Sequence, residues 1–122
     1  MLIVVDAANV VGSVPDGWWR DRAAATERLR DALARTGPAA LPDAAEDAEI
    51  VLVVEGAARR VRPVRGVRVI AAERSGDDAI VELCRANAGR ETVVVTADRA
   101  LSQRVTELGA RVVGPKTLRA RS

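Results

Sequence analysis

Five short apolar runs, rich in β-branched residues, constrain the fold of this chain more than any other feature. They cover residues 2–5, 50–54, 67–71 and 93–96, and more weakly 111–113. The runs are continuously apolar and lack the alternation of a half-exposed strand, which is typical of strands covered on both faces. They therefore predict a sheet that lies buried between two other layers.

Helical stretches separate these runs. Apolar residues at helical spacing predict helices over residues 18–34, 75–89 and 100–108, and residues 38–48 predict a loop with a short helix. The alternation predicts an α/β fold with three layers, in which helices flank a doubly wound, mostly parallel sheet of about five strands. Only residues 56–66 join the second and third runs, which is short for a parallel crossover. That connection must be tight or locally irregular.

The composition limits the available chemistry. A chain of 122 residues, 48% hydrophobic and 30% charged, predicts one globular domain over residues 1–122. There is no histidine, and Cys84 is the only cysteine. These counts exclude imidazole bases, histidine zinc ligands, an internal disulfide and a thiolate metal cluster. Any catalysis must therefore rest on carboxylates, most simply with a metal ion that they hold.

The expected location is the cytoplasm, with no membrane segment. No apolar run is long enough to cross a bilayer, and no basic region precedes the apolar N-terminal stretch. The net charge of +2 does not by itself indicate a nucleic-acid partner. Five arginines nevertheless crowd one segment: Arg59, Arg60, Arg62, Arg65 and Arg68. A solvated basic face and a phosphate-binding surface are both open interpretations.

Acidic residues follow each of the first four apolar runs, and two more begin the helix after the third run. They are Asp6, Glu55, Glu73 and Asp98, with Asp77 and Asp78 on the helix. In a parallel sheet these positions meet at one edge, where ligands bind. Close carboxylates repel one another unless a cation neutralises them. Mg²⁺ accepts oxygen ligands and keeps several waters, so the pattern predicts a site for such an ion.

Simpler interpretations of the same acids stay open. Asp77, Asp78 or Asp98 could serve only as helix caps, whereas Glu55 could be a turn residue. Asp6 is the hardest to explain in this way, because an acid at the end of a central strand needs a partner.

Trp18 and Trp19 are the only aromatic residues of the chain. Adjacent residues of a helix do not share a face, so we expect one indole to pack inward. The other could stack on a base, with Arg20 and Arg22 reaching phosphates. Packing alone, or a contact with a partner protein, is the alternative.

The ordered motifs resemble the PIN-like nuclease superfamily, and within it the NYN group and its bacterial YacP-like members. "VVDAANVV" is similar to the opening motif, in which a strand ends in Asp and an Asn follows three residues later. "VVEG" resembles the second-strand acid, usually Asp in the family and Glu55 here. "ERSGDDAIVEL" and "VVVTADRAL" resemble the third and fourth motifs. The resemblance covers nearly the whole chain.

The resemblance implies a metal-dependent ribonuclease that uses Mg²⁺ or Mn²⁺. Asp6, Asp77 and Asp98 would be metal ligands and catalytic residues, with Glu55 a ligand directly or through water and Asp78 a close substitute for Asp77. Asn9 would orient a water or an oxygen of the scissile phosphate, and Thr96 would assist by hydrogen bonding. The implied partner is single-stranded RNA. A homodimer, or association with the ribosome or another RNA-processing partner, is open.

Two other functions compete with this one. A non-catalytic module for RNA binding or protein interaction could share the fold. A nucleotide phosphohydrolase could use the same acids, but the chain lacks a GxxxxGK[ST] loop. Ala8 also stands where haloacid-dehalogenase phosphatases carry their second acid.

Overall fold

A parallel sheet of five strands forms the centre of the structure, a computed structural model that describes residues 1–15 and 17–119. The strands of this part of the chain are β1 (Leu2–Asp6), β2 (Glu49–Val54), β3 (Val67–Ala71), β4 (Thr92–Val95) and β5 (Arg111–Val113). The α-helices are α1 (Ala7–Gly12), α2 (Arg22–Thr36), α3 (Gly76–Ala86) and α4 (Arg99–Thr106). Short 3₁₀ turns cover Trp18–Arg20, Gly37–Ala40, Gly56–Ala58 and Pro115–Thr117.

The strand order is β3-β2-β1-β4-β5, and all four strand pairs are parallel. From β1 the chain moves outward through β2 to β3, and it then returns to the other side of β1 to form β4 and β5. The direction of winding therefore reverses beside β1, which is where ligands bind in open α/β sheets. This topology confirms the predicted doubly wound sheet.

Both faces of the sheet are covered. Ile3 and Val5 of β1 pack in one apolar core with α1 and α2, whereas Leu2 and Val4 pack in a second core with α3 and α4. Burying each such side chain contributes about 1.5–3 kcal/mol. A shift of β1 by one residue against its neighbours would move the side chains of each core to the opposite face of the sheet. The two cores therefore fix the register of the strand pairs. The burial confirms the prediction drawn from the continuous apolar runs.

The first predicted helix was wrong as a single element. Residues 18–20 form a 3₁₀ turn, and α2 begins only at Arg22. Asp21 separates them because its backbone is extended and its side chain caps α2, accepting a 2.9 Å hydrogen bond from the Ala24 amide. Helix α1 was not predicted, since six residues are too short for a helical period to show.

The short connection between β2 and β3 is both tight and irregular. It begins with the 3₁₀ turn at Gly56–Ala58, where Gly56 has a φ of 57°, in the left-handed region that favours glycine. Ala58 and Val61 then bury their side chains in the core beside α2. An antiparallel bridge between Val64 and Val67 completes the connection. A 3₁₀ turn and an irregular segment therefore take the place of the usual crossover helix.

Across residues 1–15 and 17–119, the helices are all too short or too polar to span a bilayer. The thiol of Cys84 is buried on α3, and burial raises its pKa. This cysteine packs as a small apolar side chain.

Candidate functional site

Asp6 ends the central strand at the point where the winding reverses, and it is only 5% exposed. Its Oδ2 accepts a 2.8 Å hydrogen bond from the Thr96 hydroxyl. Its Oδ1 accepts a long, 3.5 Å hydrogen bond from the backbone N–H of Asn9. Burial raises the pKa of Asp6 above its usual value. The two hydrogen bonds oppose this rise, and the negative charges of Asp77 and Glu55 add to it.

Thr96 lies directly after β4 and is 2% exposed. Besides donating to Asp6, its hydroxyl accepts a 3.1 Å hydrogen bond from the Asp98 amide. One hydroxyl thus joins the end of β1 to the start of α4. At this burial the hydroxyl of Thr96 faces Asp6 and the Asp98 amide and not the solvent.

Asn9 lies on the first turn of α1 and holds the loop between β4 and α4. Its side-chain oxygen accepts a 2.7 Å hydrogen bond from the Ala97 amide. An asparagine side chain also carries an amide group with two donor hydrogens. That group is the part of Asn9 that could contact a water or a phosphate oxygen.

Asp77 is the second residue of α3, and its pKa is raised by burial first and then by the charges of Asp98 and Glu55. The N-cap of α3 is Ser75, whose hydroxyl accepts a hydrogen bond from the Asp78 amide. Asp77 is therefore not needed as a cap. Asp98 does cap its helix, since its Oδ1 accepts a 2.9 Å hydrogen bond from the Leu101 amide.

Asp78 is exposed and differs from its neighbour. The Arg104 guanidinium donates two 3.2 Å hydrogen bonds to its Oδ1. The structure therefore separates the two adjacent acids: Asp77 lies among carboxylates, whereas Asp78 is paired with an arginine of α4. The motif resemblance favoured Asp77 over Asp78, but the pairing of Asp78 with Arg104 has no signal in the sequence.

Glu55 connects the end of β2 to the start of α3. Its Oε2 accepts a 2.7 Å hydrogen bond from the Gly76 amide. A Cβ atom at position 76 would lie 3.3 Å from the Glu55 Cδ, which is tighter than an ordinary contact. Gly76 thus permits the close approach of this carboxylate, a role that the sequence analysis missed.

The donor set suits a hard cation. All candidate ligands are carboxylates, which Mg²⁺ and Mn²⁺ favour. Within residues 1–15 and 17–119, however, no three acidic or cysteine side chains are grouped closely enough to hold one ion together. Mg²⁺ commonly takes one or two carboxylates and keeps several waters. The residue types therefore fit a hydrated ion that keeps several of its waters and takes only one or two of these carboxylates as direct ligands.

The two tryptophans lie in different surroundings. Trp18 packs against the core and lines a cavity of about 410 Å³, together with Arg22 and Glu55. The Arg22 guanidinium lies 5.3 Å from the centroid of the Trp18 ring. Trp19 is 58% exposed, and Arg20 lies over it at 5.9 Å. Of the predicted RNA contacts, Trp18 and Arg22 therefore lie beside the acids, whereas Arg20 lies over the exposed ring.

The arginines between β2 and β3 form an exposed face. Four of them form no ion pair with any acid in the described part of the chain: Arg59, Arg60, Arg62 and Arg65. Arg68 instead lies 3.4 Å from Glu49. The segment starts directly after Glu55, and its first arginine, Arg59, follows four residues later.

No protein-family model and no curated protein match this sequence. Among solved structures, the chain is similar to the crystal structure of a mutant of Rae1 (YacP) from Bacillus subtilis, with a TM-score of 0.67 and 18% sequence identity. The match covers 96% of this chain and 70% of that chain. At this identity the likeness establishes the fold. The chain therefore shares the fold of Rae1 (YacP), a parallel sheet of five strands with helices on both faces.

Proposed function

We propose that the protein is a metal-dependent ribonuclease that hydrolyses phosphodiester bonds of single-stranded RNA with Mg²⁺ or Mn²⁺. The observation that carries this proposal is the buried Asp6 carboxylate at the reversal of winding, with Asp77 and Glu55 near enough to raise its pKa. Perturbed acids at a ligand-binding edge are characteristic of functional sites. The YacP-like fold and the resemblance of the motifs support the same function.

In this proposal Asp6 and Asp77 bind the ion directly, because each is partly withdrawn from water and each carries a raised pKa. Glu55 and Asp98 each use one carboxylate oxygen to accept a backbone amide, which leaves the other oxygen for the ion or for one of its waters. Asp78 stays outside the site, paired with Arg104.

A bound ion supplies an activated water and neutralises charge that develops on the phosphate. The residues of the chain prepare the site for that chemistry. Thr96 holds the Asp6 carboxylate in one orientation by its hydrogen bond. The oxygen of Asn9 fixes the loop at Ala97, and its amide group donates to a phosphate oxygen of the RNA.

Cleavage of end-labelled single-stranded RNA tests this function. The wild-type protein, Asp6→Asn and Asp78→Asn are compared in Mg²⁺ and in Mn²⁺, with EDTA added as a control. We expect metal-dependent cleavage that falls by more than about 100-fold in Asp6→Asn, since even outer groups of metal sites cost 10–100-fold. Asp78→Asn should stay within about twofold of wild type, because an exposed ion pair contributes little.

Cleavage that Asp6→Asn retains, or that EDTA does not stop, would contradict the proposal. RNA binding with no cleavage, in Mg²⁺ and in Mn²⁺ alike, would instead support a non-catalytic RNA-binding module.

A further inference from the structure

We propose that the cavity beside Trp18 is a nucleotide subsite, which takes one base of the RNA strand next to the phosphate held at the acids. This inference rests on the proposed function and names the part of the RNA that binds in the cavity. The lining of this space, the Trp18 cavity, includes Ala7, Ala8, Trp18, Arg22, Glu55 and Arg74.

The lining of the Trp18 cavity matches a nucleobase in chemistry. Ala7, Val11, Ala58 and the Trp18 ring supply apolar surface, whereas Arg22 and Glu55 supply a donor and an acceptor. A base has apolar faces and a polar edge, and it stacks on aromatic rings and on arginine. The volume of about 410 Å³ lies within the range of small-molecule sites.

The cavity shares a wall with the acid site. Glu55 lines it and also raises the pKa of Asp6 and Asp77 by its charge. Ala7, another lining residue, directly follows Asp6. An RNA strand whose phosphate lies at the acids can therefore place the base of a neighbouring nucleotide in the cavity.

The charges at the cavity favour a nucleotide over other occupants. Arg22 and Arg74 form no ion pair with any acid of the described chain. They offset the repulsion that the acids exert on a phosphate backbone. An apolar peptide would leave both arginines without an anionic partner, and a free phosphate would leave the apolar wall uncovered. A nucleotide gives the arginines an anionic partner and covers the apolar wall with its base.

The two tryptophans provide an internal control for the test. Since Trp18 and Trp19 are the only ones in the chain, a ¹⁵N-labelled sample gives two indole N–H signals, which Trp19→Phe assigns. Uridine and adenosine tetranucleotides are titrated into the wild-type protein in EDTA at low salt. We expect the Trp18 signal to shift saturably and by more than the Trp19 signal, because the base enters beside Trp18 and the two rings lie 6.2 Å apart. No shift of Trp18, or the same shift with ribose 5-phosphate or inorganic phosphate, would overturn the subsite.

A matched pair of arginine variants tests the same site by affinity. Arg22→Gln and Arg20→Gln remove the same charge, but only Arg22 lines the cavity. We expect Arg22→Gln to weaken tetranucleotide binding about tenfold, the scale of one stacking contact, and Arg20→Gln to weaken it less than twofold. Ala8→Leu, at an exposed lining position, should fill the cavity and weaken binding without loss of fold. Equal effects of the two arginine variants would overturn the proposal.

These measurements separate the subsite from the ribonuclease proposal, because they need neither metal nor cleavage. A protein that cuts RNA but shows no Trp18 response keeps its proposed function and loses this subsite. A protein that shows the response but never cuts RNA keeps the subsite and loses the proposed function.

Discussion

The hydroxyl of Thr96 donates a 2.8 Å hydrogen bond to Oδ2 of Asp6, which joins the ends of β4 and β1 beneath the acids. Both side chains are buried, and the same hydroxyl accepts from the Asp98 amide. Thr96→Val keeps the shape but removes the donor and the acceptor. We predict that this variant lowers the free energy of unfolding by about 2 kcal/mol, the scale of a hydrogen bond to a charged group. Urea denaturation in EDTA measures the change.

Thr96→Ser is the control, because it keeps the hydroxyl and loses only a methyl group, which costs about 1 kcal/mol. The valine variant should therefore be the less stable of the two. A valine variant as stable as wild type would show that the hydrogen bond contributes nothing to stability.

Asp77 and Asp78 should respond differently to metal, because only Asp77 lies among the other carboxylates and Asp78 is paired with Arg104. A ligand at 100 times its Kd stabilises a protein by about 2.7 kcal/mol. For a chain of this size that is a rise in Tm of roughly 10 °C. We predict that Mg²⁺ or Mn²⁺ raises the Tm of wild type and of Asp78→Asn alike, and that Asp77→Asn loses most of the rise. Thermal denaturation with and without EDTA measures it. Equal loss in both variants would contradict this difference.

The fold was predictable because a local pattern in the sequence, a short apolar run, specifies a strand and recurs along the chain. The central strands β1, β2 and β4 carry continuous apolar runs because both of their faces are buried, whereas the edge strands β3 and β5 contain the exposed Arg68 and Arg111. The gathering of Asp6, Glu55 and Asp77 also followed from the sequence, since parallel strands end at one edge of the sheet.

The distinctions within the site were not predictable, because they depend on contacts between distant parts of the chain. The pairing of Asp78 with Arg104 joins two helices. The hydrogen bond that the Ala97 amide donates to the Asn9 side chain joins residues that lie 88 positions apart in the sequence. The inward position of Trp18 follows from the break at Asp21, where a side-chain cap overrides the helical pattern. Residue type and spacing do not encode these relationships.

The stability of the metal-free protein should depend on the ionisation of Asp6. Folding raises the pKa of this carboxyl above 3.8, mainly by burial. Its contribution to stability is therefore complete below about pH 3.8 and is lost as the pH rises through the folded-state pKa. Asp6→Asn does not titrate. We predict that the free energy of unfolding of Asp6→Asn, minus that of wild type, increases between pH 4 and pH 7.

Urea denaturation in EDTA at several pH values measures this difference, and Asp47→Asn, at an exposed loop position, controls for the loss of one charge. A difference that falls as the pH rises would contradict the raised pKa of Asp6.

The arginines between β2 and β3 should contact the RNA backbone if their unpaired charge serves binding. For single strands the slope of log K against log salt is about −0.7 per neutralised phosphate. We predict that Arg59→Gln with Arg60→Gln reduces the magnitude of this slope by about 1.4. Arg35→Gln with Arg111→Gln removes the same charge from α2 and from the opposite edge of the sheet. Fluorescence anisotropy of labelled RNA gives the slopes, and equal slopes for the two double variants would identify a merely solvated face.

Gly76 offers a way to move Glu55 without removing it. A Cβ atom at position 76 would lie 3.3 Å from the Glu55 Cδ, and the Gly76 amide donates a 2.7 Å hydrogen bond to the same carboxylate. Gly76→Ala should therefore displace Glu55 by a few tenths of an ångström. Ala favours helix over Gly by up to about 1 kcal/mol, which offsets part of the cost of displacing Glu55, so the free energy of unfolding should change by less than about 1 kcal/mol.

We predict that Gly76→Ala lowers metal-dependent RNA cleavage severalfold at nearly unchanged stability, a smaller loss than the roughly 10–100-fold that mutation of an outer group of a metal site typically costs. Gly89→Ala is the control: a Cβ atom there meets no other side chain within 4 Å. Cleavage assays are paired with urea denaturation of the same samples. If Gly76→Ala cut RNA as fast as wild type, the position of Glu55 would not matter to the reaction, and its role would reduce to tying β2 to α3. A parallel loss of stability and cleavage would mean instead that the glycine serves the fold.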